Sequence, residues 1–89
     1  MVYGVFLDPN AAKDLQKLDD VTKAKIKKAL GELAADPFKA GKQLHPSHFW
    51  SLRSGDYRAI YEIRKDQNQV TVLFVGHRKK VYDDFSKLL

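Results

Sequence analysis

Apolar and polar positions divide the chain into a strand, two helices, three strands and a last helix. Val2 to Leu7 is short and apolar and reads as a strand. It ends at Asp8-Pro9, a helix start with Asp8 as N-cap and Pro9 at the first helical position. Ala11 or Ala12, Leu15 and Leu18 then recur at helical spacing. Asp19-Asp20 breaks the pattern, and Asp20 suits the cap of a second helix. Within it Ile26, Ala29, Leu30, Leu33 and Ala34 form one apolar stripe, while Lys23, Lys25, Lys27 and Lys28 fill much of the remainder. Asp36-Pro37 closes that helix, since the residue before proline avoids the α region. Phe38 to His48, with Gly41 and Pro46, reads as a loop.

Trp50 to Ile63 predicts two short strands joined by a Ser54-Gly55-Asp56 turn. Side chains alternate along a strand, so Trp50 and Leu52 share one face and Phe49, Ser51 and Arg53 the other. In the next strand Tyr57, Ala59, Tyr61 and Ile63 take the apolar side and Arg58 the opposite one. Lys65 to Gln69 is a polar hairpin connection. Val70 to Val75 is apolar on both parities, which predicts a central strand buried on both faces. Gly76-His77-Arg78 follows at its end, and Lys79 to Leu89 predicts a final helix with Val81, Tyr82, Phe85 and Leu88 as apolar positions. The order β-α-α-β-β-β-α predicts an α+β fold. Its sheet is small and mainly antiparallel, with the N-terminal helical hairpin on one face. The other face is expected to be open, with Arg53, Arg58 and the His77-Arg78 end exposed along it.

Composition narrows the function. Eighty-nine residues, 44% of them hydrophobic, make a single domain (1–89) with one modest core. There is no cysteine, so neither a disulfide nor a thiolate zinc site supports the fold. Sixteen basic against eleven acidic residues give a net charge of +5, which favours polyanionic partners. No basic leader followed by a long apolar run opens the chain, and no stretch is long enough to span a bilayer, so a cytoplasmic location and no membrane partner are expected. His45 and His48, with His77, invite a metal reading. However, His-Pro-Ser-His lies in a loop with no acidic residue beside it, so no metal and no cofactor are expected. Asp83 and Asp84 are adjacent and point apart on a helix, which argues against a glycosidase or a two-metal nuclease.

The block Leu52-Arg53-Ser54-Gly55-Asp56-Tyr57-Arg58-Ala59-Ile60-Tyr61, followed by Gly76-His77-Arg78-Lys79-Lys80-Val81-Tyr82, resembles the RelE/ParE superfamily of small toxins from prokaryotic toxin–antitoxin pairs. The resemblance covers nearly the whole chain. It implies a ribosome-dependent endoribonuclease that cuts mRNA at the decoding site, and a cognate antitoxin that neutralises it by wrapping around it. By position it implies that Arg58 contacts phosphate and Arg78 is a second catalytic arginine. Tyr82 would stack on the substrate or relay a proton, and His77 would act as acid or base. Arg53, Lys79 and Lys80 would bind substrate. The chain departs from the family's nucleases at Phe49 and Ser51, where they carry basic residues. The implied activity is then weakened, or its proton transfer moves to His77. The superfamily also holds toxins that poison gyrase, and a basic nucleic-acid-binding module without catalysis is a further alternative.

These residues suit metal-free cleavage, in which the ribose 2′-hydroxyl attacks phosphorus and leaves a 2′,3′-cyclic phosphate. Arginine holds its proton, so Arg58 and Arg53 suit charge stabilisation through paired N–H donors. Histidine titrates near neutrality, which suits His77 to proton transfer. Structural alternatives stand beside each role. Arg58 could pair with Glu62 and Arg53 with Asp56. Tyr82 could be a core residue, and Trp50 core or antitoxin-facing. Lys23, Lys25, Lys27 and Lys28 could be a solvated face or lie against ribosomal RNA.

Overall fold

A computed structural model describes residues 2–87. Strand β1 (Gly4–Leu7) leads into α1 (Pro9–Gln16), α2 (Asp20–Ala35) and the short α3 (Pro37–Ala40). Strands β2 (Lys42–Gln43), β3 (Phe49–Ser54), β4 (Tyr57–Arg64) and β5 (Gln69–His77) follow, and α4 (Arg78–Ser86) closes the chain. Asp8 caps α1, accepting from the Asn10 amide at 3.1 Å with Pro9 in the first turn. Asp19 rather than Asp20 caps α2, accepting from the Thr22 amide at 3.2 Å, and hydrogen bonds from the Thr22 side chain and then from its amide hold its carboxyl below the usual range. Leu88, expected as an apolar position of the last helix, lies outside the described residues. Among the described residues no helix is long and apolar enough to cross a membrane.

The sheet has five strands in the order β1-β5-β4-β3-β2. Strands β2 to β5 pair antiparallel, as expected of a meander. Strand β1 instead joins β5 in parallel, so the sheet is mixed. The stretch read as a loop also holds α3 and β2. Asp36 ends α2 and caps α3, accepting from the Phe38 and Lys39 amides at 3.1 and 3.3 Å, so one carboxylate organises both elements.

Helices α1 and α2 cover one sheet face. Leu15, Ile26, Leu30 and Leu33 pack there on Leu52, Ala59, Tyr61, Val70, Val72 and Val75. Tyr61 is fully buried, and its hydroxyl donates to the Pro37 carbonyl at 2.7 Å, tying the core to α3. Trp50 stacks near Tyr61, with ring centroids 6.4 Å apart, so it belongs to this core.

The second face is not open along its length, which corrects the expectation. Helix α4 lies on it, burying Ile60, Val81 and Phe85 against Leu44, Phe49 and Phe74. Burying such a side chain contributes about 1.5–3 kcal/mol, ample reason for the apolar stripe of α4 to settle there. The Phe49 ring meets Phe85 edge-on at 5.3 Å, so Phe49 holds α4 in place. What stays accessible on this face is the hairpin end, where the arginines are.

Candidate active site

The β3–β4 hairpin sets the floor of the site. Gly55 occupies the turn at φ 61°, a left-handed conformation that favours glycine. Arg53 and Arg58 are ladder partners and project to the same face. Both are held by the turn: Arg53 Nε donates to the Gly55 carbonyl at 3.3 Å, and Arg58 Nη1 to the same carbonyl at 3.0 Å. Neither alternative pairing forms. Glu62 is engaged by His48 at 3.5 Å and Arg64 at 3.4 Å, and among the described residues no carboxylate pairs with Arg53 or Arg58.

These arginines open into a groove of about 550 Å³ between the hairpin, β2 and α4. Ser51, Lys39, Lys42 and Tyr82 line it with them, and among the described residues no carboxylate does. Tyr82 is 39% exposed despite its apolar helical position. Its hydroxyl lies 3.4 Å from Ser51 Oγ, so its ring roofs the groove instead of entering the core. Arg78 sits one helical turn before Tyr82 and borders a neighbouring depression with Lys79, Tyr82 and Asp83. Arg53, Arg58 and Tyr82 thus meet in one groove, with Arg78 and Lys79 at its edge. Such a cluster can grip a phosphodiester through the guanidiniums and stack a base on the tyrosine.

Two expected members stand elsewhere. His77 is the ladder partner of Tyr57, not Arg58, and its ring meets Tyr57 edge-on at 5.8 Å. Its Nδ1 accepts from the Lys79 amide at 3.4 Å and so caps α4. The imidazole therefore projects to the sheet face opposite Arg53 and Arg58. A β-bulge is the reason. Ile60 pairs with Phe74 but Tyr61 with Val72, which leaves Leu73 as an extra residue. One extra residue moves every later side chain of the strand to the other face. Lys80 is the second exception, because its ammonium lies 3.5 Å from Asp14 on α1 and does not line the groove.

Lys39, Lys42 and Ser51 are the groove residues that the sequence reading left without a role. For Lys39 and Lys42 the signal was the basic Lys39-Ala40-Gly41-Lys42 run ahead of the hairpin, hidden because that stretch read as a loop. Among the described residues no group of three or more His, Cys, Asp or Glu is placed to hold a metal ion.

Three comparisons bear on this arrangement. The family model described as the ParE toxin of the type II toxin–antitoxin system parDE matches residues 5–82. Toxin RelG of Mycobacterium tuberculosis is 34% identical over 85 residues, covering 92% of this chain and 98% of the relative. The mRNA interferase toxin RelE of Escherichia coli is 29% identical over 92 residues, covering 98% and 97%. Among solved structures, the RelBE2 toxin–antitoxin complex of M. tuberculosis contains a similar chain at TM-score 0.81 and 32% identity, covering 88% of this chain and 100% of that one. A mutant of E. coli toxin RelE in the free state gives 0.79 at 29% identity, covering 100% and 99%.

Proposed function

The chain belongs to the ParE toxin family of type II toxin–antitoxin systems, within the RelE/ParE superfamily, and on that premise we propose that it is a ribosome-dependent mRNA endonuclease. The observation that carries this reading is the pair Arg53 and Arg58, opposed beneath the Tyr82 ring with no carboxylate lining the groove among the described residues. In the proposed reaction the 2′-hydroxyl attacks phosphorus. Arg58 and Arg53 take up the charge that develops on the phosphorane oxygens. Tyr82 stacks on a neighbouring base, and Arg78 and Lys79 hold the adjoining backbone at the groove edge. The ribosome aligns the message, which is itself a large part of the rate.

A cognate antitoxin is the second part of the reading. The toxin carries a net charge of +5, so a partner acidic and unfolded on its own, ordering across the helices and the basic face, would be complementary. The similar M. tuberculosis chain was solved in a toxin–antitoxin complex, which supports such a partner.

The test is primer extension on total RNA after induction. Cuts are expected only within translated regions, with 2′,3′-cyclic phosphate ends, and co-expression of the antitoxin should abolish them. Intact messages together with DNA breaks would replace this reading with a gyrase poison.

A further inference from the structure

We propose that Lys42 is a catalytic residue of the groove, donating a proton to the leaving 5′ oxygen. This rests on the nuclease reading and adds to it a proton donor. Strand β2 has only two residues, yet three contacts fix its place. Lys42 and Gln43 are ladder partners of Ser51 and Trp50. Gly41 closes directly on β3: a Cβ there would come within 2.6 Å of the Ser51 carbonyl oxygen, so the approach requires glycine. Gln43 Nε2 donates to the Ser47 carbonyl at 3.2 Å and ties the strand to the turn beyond it. Ladder partners project to the same face, with Cβ atoms about 4.5–5.5 Å apart. Lys42 therefore shares its face with Ser51, Arg53 and Arg58 and lines the groove beside them. Ser51 Oγ lies 3.4 Å from the Tyr82 hydroxyl, so Lys42 and Tyr82 flank one spot on the floor.

The reaction needs a group there that can part with a proton. Arginine does not, because its guanidinium stays charged throughout the accessible range. His77 faces Tyr57. Lys39 also lines the groove, but it comes from α3 and borders a second depression together with Glu32 and Asp36. Lys42 is the ammonium on the sheet floor. As the 2′ oxygen bonds to phosphorus, the bond to the 5′ oxygen breaks. The 2′ proton passes to water, the departing electron pair takes a proton from the Lys42 ammonium, and the resulting amine is reprotonated by solvent.

Single-turnover cleavage on ribosomes tests this, using a message that the wild type cuts and the same message with sulfur in place of the bridging 5′ oxygen. A thiolate leaves without protonation. Lys42→Ala is expected to slow the oxygen message by about 10²–10⁴-fold, the usual contribution of a positioned acid, and the sulfur message far less. Lys42→Arg keeps the charge without the labile proton and should match Lys42→Ala. Lys42 is exposed, so both variants should melt like the wild type. Equal slowing of the two messages, or full activity of either variant, would overturn the role of Lys42 alone. A wild type that leaves both messages intact would overturn the nuclease reading with it.

Discussion

Arg53 and Arg58 oppose each other across the ladder and share one acceptor, the Gly55 carbonyl. Like charges placed directly opposite are destabilising, by something on the order of 0.2–1 kcal/mol. A fold that tolerates this with no carboxylate counter-ion among the described residues has donors already aimed where an anion would sit. Arg58→Ala is therefore expected to leave the melting temperature unchanged or slightly higher. The same change should lower mRNA cleavage by about 10²–10³-fold, as removal of a transition-state donor does. Thermal melts run beside cleavage assays check both halves. A large loss of stability would instead make Arg58 a structural residue.

Tyr82 offers a ring and a hydroxyl, and the two can be separated. The ring is exposed over the groove, while the hydroxyl lies 3.4 Å from Ser51 Oγ. If stacking is its main contribution, Tyr82→Phe should retain most activity. Tyr82→Ala should lose what one stacked base is worth, about 1–3 kcal/mol of substrate binding. Affinity for ribosomes carrying an uncleavable, 2′-deoxy message measures this. Equal losses in both variants would assign the work to the hydroxyl.

His77 is expected to matter for α4 more than for chemistry. His77→Asn keeps an acceptor at the cap, and asparagine is a favoured N-cap residue, so stability should hold. His77→Ala should cost about 0.5–1 kcal/mol, the low end for a lost cap, because the bond to Lys79 is long at 3.4 Å. Neither variant should lose the ~10²–10⁴-fold that a positioned acid or base supplies. The pH profile of cleavage should also be the same in both. A flattened profile in His77→Asn would return the imidazole to the reaction.

The misplacement of His77 marks where the sequence stopped being legible. Helix caps at Asp8 and the hairpin at Gly55 were readable because they are local: one carboxylate or one glycine decides each. The face of Arg58 was readable because strict alternation runs from the turn to Ile60. Beyond Leu73 alternation fails, since Val70, Val72 and Val75 all face the helical hairpin side of the sheet. The one polar residue between Val70 and Val75 is Thr71, which lies ahead of the bulge, so no polar residue beyond Leu73 in that run reports the shift. The burial of the second face was hidden for a similar reason. The apolar stripe of α4 is evident, but Val81 and Phe85 find Ile60 only through long-range packing. Strand β2 was too short to carry a period at all.

Tyr61 links the core to the groove wall, and its hydroxyl makes that link depend on pH. Burial, and secondarily the Asp36 carboxylate, pushes it up to about 12 from an ordinary 10.0. Between those values the unfolded chain has released a proton that the folded chain keeps, so stability falls as pH rises. The contribution is complete below about pH 10 and is lost on approaching pH 12. Tyr61→Phe leaves the Pro37 carbonyl without its donor and should cost about 1–3 kcal/mol near neutrality. The gap between wild type and Tyr61→Phe should then narrow in urea melts as pH is raised from 9 toward 11, since all other titrating groups are common to both. A gap that stays constant would mean that Tyr61 ionises in the folded protein as readily as in the unfolded one. Its bond to α3 would then not hold the wall of the groove.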